Sequence, residues 1–171
     1  MVKPGAPEED DISAEDLQRE QMVRYAEDLK RARTSGRALT GRIRSAVPTR
    51  VRVLIVDDEK DIRLLVAATL GAEQYEVFEA TRGTEALTLA RAKQPSLIIL
   101  DVRMPDLDGV EVCKLIRADP LLHQVPIIMV TAARNADERR AGLEAGASRY
   151  LTKPFSPAEL LDTVEHLLHS Q

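Results

Sequence analysis

From residue 51 the chain alternates between two hydrophobic textures. Short, nearly unbroken apolar runs stand at VRVLIV (51–56), SLIIL (96–100) and VPIIMV (125–130), rich in β-branched residues. A strand with one wet face would alternate apolar and polar residues, so such runs predict strands buried on both sides. Between them apolar positions recur every three to four residues, as in Ile62, Leu65, Val66 and Leu70, which predicts amphipathic helices. The pattern places strands over 50–58, 75–80, 96–101, 125–131 and 148–152, and helices over 61–70, 84–92, 109–117, 137–145 and 157–168. Five strand–helix units in succession imply a parallel sheet covered by helices on both faces, a doubly wound α/β domain. The first strand then lies beside the third, with the fourth and fifth to one side.

The first fifty residues have a different texture. Residues 1–12 are rich in proline, glycine and acids and predict a disordered acidic tail. Over 13–34, Ser13 offers an N-cap with Glu15 and Asp16 in the first turn. Ala14, Leu17, Tyr25, Leu29 and Ala32 share one face with Met22 at its edge, which predicts an amphipathic, coiled-coil-like helix. Such a helix is marginal alone in water and needs a partner surface, either a second copy or the following domain. Residues 35–50 form a basic linker, punctuated by Gly36, Gly41 and Pro48. Lys30, Arg31, Arg33, Arg37, Arg42, Arg44 and Arg50 occur with no acid among residues 30–50. The favoured reading is a solvated tether, because no aromatics interleave and no helix-turn-helix pair is visible; contact with nucleic acid or an acidic partner is the alternative.

Composition narrows the function. The 171 residues suit one domain plus an appendage, with 44% apolar residues and 3% aromatics predicting an aliphatic core. A net charge of −4 argues against a dedicated nucleic-acid binder. No apolar run approaches the ~18 residues of a membrane span, and the N-terminus lacks the apolar stretch of a secretory signal. A single cysteine, Cys113, precludes an internal disulfide and fits a reducing, cytoplasmic setting. Its neighbours Val112, Leu115 and Ile116 mark it as a core position on a helix.

The strand ends carry the chemistry. The first predicted strand stops on Asp57-Asp58, the third on Asp101 and the fourth on Thr131-Ala132, and Lys153-Pro154-Phe155 follows the fifth. Ligands of open α/β sheets bind outside the carboxyl ends of the strands. There Asp57, Asp58 and Asp101 crowd one crevice, and two carboxylates about 4 Å apart repel by roughly 4 kcal/mol at an effective dielectric of 20. That repulsion demands a cation. Oxygen-only ligands favour a hard one, and Mg²⁺ takes a few carboxylates while leaving room for a phosphoryl group. Lys153 can pair with an oxygen of Asp101 or of an attached phosphate, and Thr131 can donate a hydroxyl hydrogen bond to it. A carboxylate so held is a nucleophile toward a phosphoryl donor, giving an aspartyl phosphate. Ala132 leaves space for the incoming group. Asp106 and Asp108 are also acidic, but Asp108 before Gly109 reads as a turn and cap residue.

VLIVDDE, LIILDVRMPDLDG, PIIMVTA and YLTKPF, in that order and spacing over residues 51–169, resemble the successive motifs of the response-regulator receiver domain of two-component signalling. The resemblance implies a flavodoxin-like sheet of order 2-1-3-4-5. It implies Asp101 as phosphoacceptor, Asp58 as a direct Mg²⁺ ligand, Asp57 acting through water, and the backbone carbonyl of Arg103 completing the metal site. It casts Thr131 and Lys153 as the switch threonine and the lysine, Tyr150 as the aromatic switch residue, and Lys153-Pro154 as a cis bond. Arg103 and Ala133 flank the expected path of hydrolytic water.

The leading expectation is a phosphoacceptor, not a turnover enzyme. It takes its phosphoryl group from a histidine kinase or phosphotransfer protein and switches the face of the fourth helix, fifth strand and fifth helix for partner binding or dimerisation. No second domain follows Gln171, so a stand-alone receiver is expected. A second reading uses the 13–34 helix for dimerisation and the basic stretch as output. A third is a Mg²⁺-dependent phosphohydrolase, although the haloacid dehalogenase type carries its nucleophile on the first strand rather than the third.

Overall fold

The computed structural model describes residues 50–132 and 136–169, so the predicted tail, helix and linker over 1–49 and Ala133 lie outside the described residues. The elements are β1 (Val51–Val56), α1 (Lys60–Leu70), β2 (Tyr75–Ala80), α2 (Gly83–Lys93), β3 (Leu97–Asp101), α3 (Gly109–Ala118), β4 (Ile127–Thr131), α4 (Ala136–Glu144), β5 (Arg149–Thr152) and α5 (Pro157–His169). All four strand pairings are parallel and the order is β2-β1-β3-β4-β5, the predicted doubly wound sheet.

The apolar runs are buried on both faces because alternate residues serve different helix layers. Leu54, Val56, Ile98, Leu100, Ile127 and Met129 pack with Ala86 and Ala90 of α2 and with Val112, Cys113 and Ile116 of α3. Val53, Ile55, Leu97, Ile99, Ile128 and Val130 pack with Leu65 and Val66 of α1 and Leu160 and Val164 of α5. At about 1.5–3 kcal/mol per fully buried aliphatic side chain, this two-sided burial is what holds the central strands in place. Cys113 occupies the core position expected of it, its Sγ donating to the Ala145 carbonyl at 3.4 Å. Among the described residues no helix is long and apolar enough to cross a membrane.

Small departures at element ends have local causes. β4 begins at Ile127 rather than at residue 125; Pro126 has no N–H to give a neighbour, although its carbonyl still accepts from Ile98 at 3.0 Å. α2 begins at Gly83 because Asp106, remote in sequence, caps it. Its carboxylate accepts from the Gly83 and Thr84 N–H groups at 2.8 and 3.0 Å and from the Thr84 hydroxyl at 2.8 Å. α1 stops where Gly71 takes up φ 77°, a left-handed conformation that glycine adopts without a Cβ clash. The Lys153-Pro154 bond is cis.

After β3 the chain turns back hard. The Gly109 N–H donates to the Val102 carbonyl at 2.8 Å, and Asp108 caps α3 through the Glu111 N–H at 2.8 Å. A Cβ on Gly109 would overlap the Asp101 carbonyl oxygen and lie 2.9 Å from the Val102 Cα. Both obstacles are backbone and cannot rotate aside. Gly109→Ala is therefore expected to cost about 2–4 kcal/mol, an overpacking cost at the upper end of its usual range. Urea unfolding measures it; a loss below 0.5 kcal/mol would show that the turn can relax.

Candidate functional site

Register brings the strand ends together. Val56 pairs with Leu100, so Asp57 stands beside Asp101 where β1 and β3 end. Thr131 pairs with Thr152, and the Lys153 N–H donates to the Thr131 carbonyl at 2.7 Å, which fixes the lysine at the same edge. Asp57, Asp101 and Thr131 are 2%, 5% and 0% exposed, whereas Asp58 faces solvent.

Asp57, Asp58 and Asp101 each present a carboxylate oxygen, and these oxygens lie within 4.8 Å of one another. The Lys153 ammonium sits among the acids, 2.8 Å from Asp57 Oδ2 and 3.3 Å from both Glu59 Oε1 and Asp101 Oδ1. The sequence paired this lysine with Asp101; the structure gives it three carboxylates, with Asp57 nearest. Asp57 Oδ1 also accepts the Glu59 N–H at 2.8 Å. Arg63, which the sequence did not single out, holds the loop between β1 and α1. Its Nη1 donates to the Asp57 carbonyl at 2.8 Å while its Nε bonds Glu79 Oε2 at 2.9 Å. Its one signal in the sequence is a cation on the first turn after an acidic strand end.

Burial dominates the electrostatics. It pushes the Asp101 carboxyl up from 3.8 to about 6 against the opposing pull of Lys153, with Asp57 and Asp58 adding to the rise. Asp57 is raised for the same reason, despite its bonds to Lys153 and the Glu59 N–H. Desolvation works to lower Lys153, but Asp57 and Asp101 more than reverse it, so the lysine is held above its ordinary value and stays charged. Among the described residues, Asp57, Asp58 and Asp101 bring their carboxylate oxygens together around one lysine. That donor set suits a hard divalent cation. The Arg103 carbonyl, two residues past Asp101, accepts no hydrogen bond among the described residues and is open to serve as a neutral ligand.

Beyond Asp101 a second group of side chains meets the first. The Thr131 hydroxyl donates to Glu138 Oε2 at 3.4 Å, and Glu138 Oε1 accepts from Arg103 Nη2 at 2.9 Å. The side chain of Arg103 thus reaches from the loop after β3 to the first turn of α4. Tyr150 is turned inward. Its hydroxyl is shielded from solvent without a well-formed hydrogen bond, and burial, then the Glu138 charge, raises its pKa while the nearby Thr131 hydroxyl lowers it. Gly142 provides the notch for the ring, since a Cβ there would lie 2.7 Å from Tyr150 Cε2 and 2.6 Å from Met129 Sδ. Ala132 is exposed at the mouth of the crevice. Asp106 and Asp108 are both occupied as helix caps and do not join the acidic cluster.

A doubly wound parallel sheet with this acidic crevice, a lysine across it and a threonine–tyrosine pair beside it defines a receiver-type α/β domain of the flavodoxin-like fold. The chain belongs to the response regulator receiver domain family, whose pattern matches residues 53–165. It is 44% identical over 117 residues to the alkaline phosphatase synthesis transcriptional regulatory protein PhoP of Bacillus subtilis, covering 68% of this chain and 48% of that protein. The response regulator PleD of Caulobacter vibrioides is also 44% identical over 117 residues, covering 68% of this chain and 26% of PleD. The chain thus spans about half, or less, of the length of these curated relatives. Among solved structures, the chemotaxis protein CheY4 of Vibrio cholerae superposes with a TM-score of 0.67 at 38% identity, covering 70% of this chain and 100% of CheY4. A CheY-like receiver domain protein from Methanospirillum hungatei gives a TM-score of 0.67 at 30% identity, over 71% and 96% of the respective chains.

The raised carboxyl of Asp101 has a consequence for stability. A folded-state value near 6 against an ordinary 3.8 means that the folded protein binds this proton more tightly than the unfolded chain does. Ionised Asp101 therefore subtracts stability, in full above pH ~6 and not at all below ~3.8. Asp101→Asn is expected to stabilise the chelator-treated protein by about 1–3 kcal/mol at pH 7.5, with the gain shrinking toward zero near pH 4. Denaturant unfolding at the two pH values checks this; a gain independent of pH would show that the carboxylate charge is not its source.

Proposed function

We propose that this receiver accepts a phosphoryl group on Asp101, supplied by a histidine kinase or a histidine phosphotransfer protein. The observation that carries the reading is the placement of Asp101 at a buried strand end, 3.3 Å from the Lys153 ammonium and within the cluster formed with Asp57 and Asp58. A carboxylate in that position is a nucleophile whose product would be stabilised by the same groups. An Asp101 carboxylate oxygen attacks the phosphorus of a phosphohistidine; an O–P bond forms, the P–N bond breaks, and the departing imidazole nitrogen takes up a proton. Lys153 neutralises charge on the equatorial oxygens, and the Thr131 hydroxyl turns from Glu138 to donate to one of them.

Asp58, Asp57, Asp101 and the Arg103 carbonyl would hold Mg²⁺, which when bound supplies the charge neutralisation that three carboxylates and a phosphoryl group require. The exposed Asp58 is the natural direct ligand. Asp57 is already engaged by Lys153 and the Glu59 N–H, which suits it to a role through water.

The acyl phosphate adds nearly two negative charges and three acceptor oxygens. Driving a two-state equilibrium from 1:99 to 99:1 takes about 5.5 kcal/mol, which two or three charge-assisted hydrogen bonds of about 1.5–3 kcal/mol each can supply. The face of α4, β5 and α5 receives the change. It carries Arg139, Arg140 and Arg149 beside Glu159, Asp162 and Glu165, with Leu143 about half exposed at 48%. Mixed charge around an apolar residue suits a protein partner or a second receiver better than nucleic acid.

Incubation with Mg²⁺ and a small acyl phosphate, followed by intact-mass measurement, tests the reading. The wild type is expected to gain one phosphoryl group and Asp101→Ala none, and Lys153→Ala is expected to label on the order of 10²-fold more slowly. Equal labelling of the wild type and Asp101→Ala would refute the assignment, and sustained turnover of phosphate esters would favour a hydrolase instead.

A further inference from the structure

We infer that Glu138 is an internal competitor for the phosphoryl group. In the resting protein its two carboxylate oxygens engage Thr131 and Arg103, and a phosphoryl group on Asp101 must draw both away from it. The inference rests on the phosphoacceptor reading and adds how the site is restrained before it is charged.

The geometry makes the competition mutually exclusive. A threonine hydroxyl has one proton to donate. Here the Thr131 hydroxyl lies 3.4 Å from Glu138 Oε2, and the same hydroxyl cannot donate to a phosphoryl oxygen while it points there. The other carboxylate oxygen of Glu138 is 2.9 Å from Arg103 Nη2, so the guanidinium is held at the first turn of α4. Arg103 is 71% exposed, and an exposed ion pair is readily exchanged for a stronger one. A phosphoryl dianion offers more charge and more acceptor oxygens than a carboxylate, with bidentate geometry for a guanidinium.

Glu138 can do this because of where it stands. It occupies the first turn of α4, where a negative charge is favoured by the helix dipole, so the carboxylate is held at that spot even when its partners leave. It also lies close enough to Tyr150 that its charge bears on the phenol. Removal of Thr131 and Arg103 from Glu138 therefore loosens the first turn of α4, one helical turn before Gly142, against which Tyr150 is packed. Glu138 is a positioning residue in this account: it touches neither Asp101 nor Lys153 among the described contacts.

The test uses the full chain with Mg²⁺ and a small acyl phosphate, and follows labelling and loss of label by intact mass in the wild type, Glu138→Gln, Arg103→Ala and the double variant. Glutamine is nearly isosteric but removes the charge and leaves one acceptor oxygen where the carboxylate had two, and thermal melting checks that each variant is folded. Glu138→Gln is expected to label about 3–10-fold faster than the wild type and to hold the phosphoryl group longer. In the Arg103→Ala background the gain in lifetime should vanish, because the released guanidinium is its source. Identical kinetics in the wild type and Glu138→Gln would overturn the inference while leaving the phosphoacceptor reading intact. A lifetime gain that survives in the double variant would overturn the exchange of Arg103. A wild type that takes no label would overturn both readings.

Discussion

Everything at the carboxyl edge follows from one electrostatic constraint: among the described residues, Asp57, Asp58 and Asp101 share a crevice with one lysine, Lys153. The acids cannot move apart, because Asp57 and Asp101 terminate strands whose preceding residues are clamped between two helix layers. Nor can they be fully solvated, since both are almost completely buried. Lys153 reduces the repulsion without removing it, and burial still outweighs it at Asp101. The frame thus keeps a buried carboxylate in an environment that is improved by adding positive charge. Binding of a cation would meet that need, and a phosphoryl group on Asp101, which brings further negative charge, would deepen it.

The supporting contacts are arranged to hold backbone rather than side chains. Arg63 fixes the carbonyl of Asp57, the Lys153 N–H is tied to the Thr131 carbonyl, and the Gly109 N–H closes the turn onto Val102. The charged termini of Glu59, Asp58 and Arg103 are left toward solvent. A rigid main chain under adaptable side chains suits the proposed site, in which the same oxygens would meet a cation, a donor and a covalent product in turn.

The fold was legible because its strongest signals are redundant. Leu97 to Leu100 could only be a strand buried on both faces, and five such units in alternation leave few topologies. The strand-end chemistry was legible for a related reason: Asp57, Asp58, Asp101, Thr131 and Lys153 each follow the last apolar residue of a predicted strand, so parallel register alone gathers them. What the sequence did not disclose depends on long-range side-chain pairing. Nothing local marks Asp106 as the cap of a helix that begins at Gly83, or Arg63 as the clamp on the Asp57 carbonyl. Gly142 reads as an ordinary glycine near a helix end, and its role as the notch for Tyr150 needs the packing of α4 on β4 and β5. The partner of Arg103 was equally hidden, since Glu138 lies 35 residues away across the sheet edge.

That last pairing changes how the loop after β3 is understood. Asp106 and Asp108 brace it from both sides by capping α2 and α3, so its backbone is held in place. The guanidinium of Arg103 reaches α4, where it pairs with Glu138. In the proposed site one residue would contribute a neutral main-chain oxygen and an exchangeable positive charge. A lysine at this position would keep the carbonyl but lose the planar fork that could bind a phosphoryl group in bidentate fashion. An alanine would keep the carbonyl and leave Glu138 facing Thr131 with its charge unbalanced. The chemistry of the loop lies in that division of labour between main chain and side chain, and the two helix caps make it possible by ensuring that movement of the guanidinium does not displace the carbonyl.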